Sequence, residues 1–434
     1  MRRLVFIVIF GLILSCDTER NIPLLAEDTF LKFYGVEGEQ TGVDFVLTSD
    51  NAIAMVGNST QPGGMQMIYV VKVDLNGKVI WENMIGLSDK NNAVKDIELH
   101  PVDGRLIIAG ETEMAVGNRD VFVKILDGNG GELDSIRYGL NSYSLGNEEV
   151  TSITVISQGL TNSAGYIVTG STTDILSPSV NDTKDGMVLR FTDSPLDIIS
   201  DVSWRSKGIM DAEDVVVKMI QLDNNTYYGF GYTNISRTNR DFKYWLFRLN
   251  DDGVESGNSE AFFDALGSSV EDEKLLAVID VNTPDLFDRG YLLCGIATNQ
   301  SGISRPYLVK LKRSLVLNPA NDVTAQFNGS TLGTDGSLKL NGYYNLLNND
   351  YLISATQNVN SNLAEDLSLF KLDREIQPVW GPEVFGGESF DEAGAVLQLP
   401  DGKIMVLGTM TVGGLNGQKK MALMKLNDKG KLLR

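Results

Sequence analysis

One apolar strand pattern, closing on Gly-x-Thr or a near variant, recurs seven times along the chain. Its copies occupy residues 52–57, 106–110, 166–170, 227–231, 291–295, 351–355 and 404–408. The closing positions, Gly57, Gly110, Gly170, Gly231, Gly295, Ala355 and Gly408, are spaced 53, 60, 61, 64, 60 and 53 residues apart. A shared period over a whole chain means that each copy is one structural unit packed on its neighbours. Each copy is followed by a second apolar strand carrying one basic residue near its end: Lys72, Lys124, Arg190, Arg248, Lys310, Lys371 and Lys425. A third strand closes in Gly, as in residues 81–86, 204–208 and 380–387, and a fourth precedes the Gly-x-Thr run, as in 43–48, 150–156, 215–222 and 393–399.

Four short strands per unit, rich in β-branched and aromatic residues and separated by turn residues, make one blade. Most strands are apolar on both faces, as a sheet held between two others must be. The chain is therefore predicted to be all-β, a seven-bladed β-propeller of four-stranded antiparallel blades. The last unit stops after its Lys425 strand and lacks an outer one, and residues 30–34 supply a matching strand near the start. Pairing the two closes the ring and removes exposed edges. With strands a to d running outward from the axis, tight Gly/Asn/Asp turns such as 75–77, 251–253 and 428–430 fall on one face. The other face receives the longer connections, including 171–185, 232–241, 296–305 and 356–366, where binding is expected.

The repeats resemble the tandem propeller units of secreted Bacteroidota and archaeal proteins, whose segments look like W-x-K-x-F-G-G, G-Y-I-I-x-G-x-T and Y-L-V-K-L-D. Trp380 with Phe385, Gly386 and Gly387, then residues 290–295 and 307–311, match them best, while Ala355 departs from the pattern. The resemblance implies the fold and no shared ligand. Residues 1–15 read as a leader, with Arg2 and Arg3 ahead of an eleven-residue apolar run too short to span a bilayer. Ile13, Leu14, Ser15 and Cys16 resemble a bacterial lipobox, implying lipidation of Cys16, a tether over 16–27 and a propeller over 28–434. An outer-membrane lipoprotein is expected, although Asp17 resembles an inner-membrane retention signal of some bacteria, and its leaflet is left open.

The net charge of −20 gives no basic stripe for a phosphate backbone, which argues against nucleic acid as a partner. Acids gather where the d-to-a connections enter the innermost strands: Glu148, Glu149, Asp211, Glu213, Asp214, Glu271, Asp272, Glu273, Asp391 and Glu392. As a ring at the channel mouth they would recruit a basic partner or hold Ca²⁺ through oxygen ligands; otherwise they are solvated, or paired with the periodic Lys and Arg residues. The single histidine, His100, sits in a turn-like run, as does the calcium-loop-like 127–131, and Cys294 lies in an apolar strand. No catalytic set of acid, base and nucleophile is concentrated anywhere in the sequence. The expectation is a non-catalytic binding or scaffolding lipoprotein, tethered to a membrane and taking a protein or glycan on the long-loop face. The alternative is a glycan hydrolase or lyase working with the channel-mouth acids.

Overall fold

The computed structural model describes residues 28–432 apart from 140–146, 159–161, 174–183, 200–205, 208–211, 225, 235–241, 256–260, 264–271, 282–288, 299–303, 313–322, 327–334, 346–347, 359–364 and 414–416. The expected leader, Cys16 and the tether lie outside the described residues, as do Trp204 and most of the longer loops. Every regular element among the described residues is a strand, and the strands form seven sheets. Blade 1 comprises Asp44–Leu47, Ala52–Thr60, Gln66–Asp74 and Val79–Ile85, with Glu39–Gln40 also pairing to its second strand. The innermost strands of blades 2 to 7 are Asn91–Leu99, Glu148–Gln158, Asp214–Asp223, Asp272–Val281, Asp335–Asn345 and Glu392–Gln398. Blade 7 is completed by Phe30–Tyr34, antiparallel to Gln418–Leu426 with Phe30 opposite Lys425 and Tyr34 opposite Met421. The expected seven-bladed ring, closed by the N-terminal strand, is the observed one.

The recurrent glycine has a steric cause. In blades 2 to 5 and 7 the innermost strand bulges beside the residue paired with it, for example between Val94 and Asp96 opposite Gly110 and Ala109. The bulge presses a backbone carbonyl onto the second strand. A Cβ on Gly110 would collide with Ala93 O, one on Gly170 with Glu149 O, and one on Gly231 with Val215 O. Blade 6 explains its own exception: there the register shifts earlier, between Ser337 and Leu340, and Ala355 pairs beyond the bulge.

The residue after that glycine latches blade to blade. The Val94 N–H donates to Asn58 Oδ1 at 2.8 Å and the Val150 N–H to Glu111 Oε1 at 2.7 Å. Likewise the Ala393 N–H donates to Thr356 Oγ1 at 2.9 Å and the Gly42 N–H to Thr409 Oγ1 at 3.0 Å. Farther out, the periodic lysines reach the next blade's c-to-d turn: Lys72 donates to Gly128 O at 3.2 Å, Lys310 to Arg374 O at 2.8 Å and Lys425 to Leu75 O at 2.9 Å. Those turns share one design, in which Asp74, Asp127, Asn250, Asp373 or Asn427 accepts two backbone N–H groups through one Oδ1. Trp81 covers Gly130 of the following turn, Trp380 covers Gly430, and Phe30 with Tyr34 covers Gly77. The closing strand thus repeats the joint used elsewhere, and Tyr34 Oη donates to Gly77 O at 2.8 Å.

The connections are less uniform than the sequence reading expects. Between the second and third strands of blade 2 only Val116 and Gly117 intervene, so the long-loop face is long over some blades and tight over others.

Candidate functional site

The seven innermost strands enclose an axial channel of about 810 Å³. Its wall is divided. All of its charged residues come from blades 1 to 4, which contribute Asp44, Asp96, Glu98, Thr151, Ser152 and Lys218 beside apolar residues such as Val46, Ile97 and Leu99, whereas blades 5 and 7 contribute Leu276, Val278, Ala395, Val396 and Leu397. Blade 6 adds Asn341 and Tyr343 between these regions. Asp96 and Glu98 are two apart on one strand and therefore project from the same face.

The charged wall is a bonded network. Asp44 accepts the Phe45 N–H at 2.8 Å and, from blade 2, the Ile97 N–H at 3.4 Å. Asp96 accepts the Ile153 N–H of blade 3 at 2.8 Å, so each aspartate bridges to the next inner strand. Lys218 of blade 4 reaches Glu98 of blade 2 at 3.4 Å. Burial pushes the Asp44 carboxyl well above the usual carboxylate range, the Asp96 charge and their mutual hydrogen bond add to the rise, and the Phe45 N–H opposes it. A hydrogen bond between two carboxyls needs one proton, and Asp44 is the group placed to keep it. Burial also raises Glu98; Lys218 opposes that rise and Asp96 adds to it. For Lys218, burial works against the ammonium, but Glu98, Asp96 and Asp44 outweigh it and hold the proton. The channel therefore combines a neighbouring pair of carboxyls, an ion pair and an apolar wall within one cavity.

The acids singled out by sequence lie elsewhere. Glu148, Asp214, Glu273 and Asp391 are buried, and Asp391 accepts the Thr411 N–H at 2.7 Å and the Gly387 N–H at 3.0 Å. Glu149 pairs with Lys184 at 2.6 Å and Arg119 at 3.3 Å; burial works against its charge, yet these cations keep its carboxyl below the usual range. Glu392 pairs with Lys419 at 3.3 Å, Asp272 accepts the Phe242 N–H at 3.3 Å, and Glu213 is partly buried. Asp211 and Glu271 lie outside the described residues. Asp272 and Asp391 thus accept backbone N–H groups, Glu149 and Glu392 join cations, and none of the placed acids lines the channel cavity. Among the described residues no three Asp, Glu, His or Cys side chains converge to hold a metal ion.

Other candidates resolve into structure. Asp127 spends its Oδ1 on the N–H groups of Asn129 and Gly131, each at 2.8 Å, as an ordinary turn does. His100 is buried in its turn with Nδ1 2.7 Å from Asp103. Arg105 joins Asp103 at 2.7 Å to Asp193 at 2.9 Å, and Tyr166 donates to Asp193. This knot ties blade 2 to blade 3. Cys294 is fully buried, and burial pushes its thiol far up; Trp245 is buried and stacks on Phe247 at 4.4 Å.

The channel residues Asp44, Asp96, Glu98 and Lys218 were not singled out by sequence reasoning. Their signal was present as charge inside otherwise apolar innermost strands, most plainly the lysine in VVVKMI.

No family model matches the chain, and no curated protein matches its sequence. Among solved structures, a protein of unknown function from Dyadobacter fermentans is 10% identical, with 92% of this chain and 99% of that one covered and a TM-score of 0.47. The extracellular domains 1–2 of Drosophila Semaphorin 1a are 9% identical, with 92% and 88% covered and a TM-score of 0.49. By its own strand pairing the chain is a seven-bladed β-propeller closed by its N-terminal strand.

Proposed function

We propose that this chain is a binding propeller, attached to the cell envelope through a lipid on Cys16, that takes a protein or glycan partner on its long-loop face. The axial channel receives the part of the partner that enters the ring. The observation that supports this reading is the gathering of all charged lining residues on one part of the wall: Glu98 and Lys218 would orient a polar group while an apolar body packs on Leu276 and Leu397. A few polar groups fixed opposite an apolar surface suit selective binding.

Calorimetric titration of the full chain against oligosaccharides and envelope proteins tests it. A ligand is expected whose affinity falls about tenfold, equivalent to 1.4 kcal/mol, in Glu98→Gln, measured below the melting transition of the variant. Binding indifferent to Glu98→Gln and Leu397→Ala alike would place the site outside the channel. The proton kept by Asp44 favours one second reading, glycan hydrolysis or lysis with Asp44 as general acid. Turnover on a glycan panel that disappears in Asp44→Asn would replace binding with catalysis.

A further inference from the structure

In blades 1, 2 and 6 the outermost strand carries an extra, unpaired residue at its start, Ile80, Leu133 and Val379. Each lies six positions after the Asp that builds the preceding turn. Bulges blunt an open sheet edge, but the residue placed there is commonly polar or charged. Here all three are aliphatic and exposed, at 54%, 56% and 56%. Blades 6 and 1 flank blade 7, whose outermost strand begins at Phe30 on the same edge of the ring, and blade 2 follows blade 1.

Some of the neighbouring charges are paired, Lys124 with Glu132 at 2.9 Å and Lys431 with Glu383 at 2.5 Å. The twelve steps from Cys16 to Asp28 reach at most about 42 Å at roughly 3.5 Å each, so a lipid on Cys16 keeps this edge near its bilayer. We infer that the tight-turn rim of blades 6, 7, 1 and 2 rests on the membrane, with Ile80, Leu133 and Val379 entering the interface and the long-loop face turned away. This deepens the proposed anchoring and rests on it for its physiological setting.

To separate the two, the mature chain from Cys16 is coupled through that thiol to a maleimide phospholipid and bound to phosphatidylethanolamine/phosphatidylglycerol vesicles; the buried Cys294 stays unreacted. Hydrogen exchange is compared between tethered and free protein. Protection is expected over 78–84, 131–137 and 378–384, and it is expected to vanish when Ile80, Leu133 and Val379 are all changed to Ser, although the protein still floats with the vesicles. Unchanged exchange at the rim, or protection centred on Val116, 91% exposed on the opposite face, would overturn the inference. Natural lipidation is read independently from the mass of the mature N-terminus; an unmodified Cys16 would remove the anchoring while the vesicle result still reports on the rim.

Discussion

The two walls of the axial channel are built from equivalent strands yet hold the ring together differently. On the side of blades 1, 2 and 4, Asp44, Asp96, Glu98 and Lys218 link inner strands through backbone N–H groups and one ion pair. On the side of blade 7, Ala395 and Leu397 pack into a core with Tyr343 and residues of blade 1. Apolar packing is indifferent to pH, whereas the charged network depends on every member being present. The largest effect is expected from Lys218→Met, which leaves Glu98, and the neighbouring Asp96 and Asp44, without their cation. Removing one partner of a buried pair costs about 3–5 kcal/mol, and contact with channel water reduces this to about 2 kcal/mol. Urea unfolding at pH 7 should show that loss, and at pH 4 most of it should be gone because the carboxyls take up protons. The same loss at both values would mean that the lysine contributes through its stem rather than its charge.

Leu397→Ala sharpens the contrast from the other side. A buried Leu→Ala change costs about 2–5 kcal/mol, and Leu397 borders a cavity that already exists, so about 2 kcal/mol is expected. The loss should be equal at pH 7 and pH 4. A pH-dependent loss here would show that the two walls are coupled, and the comparison would fail.

How much of this was legible in the sequence depends on what each residue type must satisfy. Gly110 and its equivalents were visible because a carbonyl pressed on Cα tolerates no side chain, and that constraint repeats with the blade. The closing strand was visible because the last unit lacked a partner for Gln418–Leu426. The site was not visible in the same way. Asp96 and Glu98 belong to a strand that mixes charged with apolar residues, NNAVKDIEL, and the bulge at Lys95 changes which face continues into the channel. The acids at strand entries drew attention because they cluster along the chain. Asp391, however, turns inward to cap Thr411 and Gly387, a choice fixed by loop geometry rather than by composition. The periodic lysines were recognised as a pattern, but their acceptors, Gly128 O, Arg374 O and Leu75 O, are backbone atoms of other blades. No side-chain pattern announces those.

The smallest and most selective effect is expected from Asp44→Asn. In the folded chain burial and Asp96 raise the Asp44 carboxyl above its ordinary value, so the folded state holds this proton more tightly than the unfolded state does. The associated stabilisation is complete below the unfolded aspartate value of about 3.9, and it is lost as the pH rises through the raised folded value. Asn reproduces the protonated form at every pH: its oxygen accepts the Phe45 N–H and its amide donates toward Asp96, while the long contact from the Ile97 N–H is given up. The substitution should therefore stabilise the protein at pH 8 by about 1 kcal/mol, a figure reduced for the water in the channel. At pH 3 the gain should disappear or reverse slightly. A loss of similar size at both values would mean that Asp44 is ionised and held by the Phe45 and Ile97 N–H groups. The charged wall would then be a set of backbone caps, like Asp391, rather than a proton-sharing site.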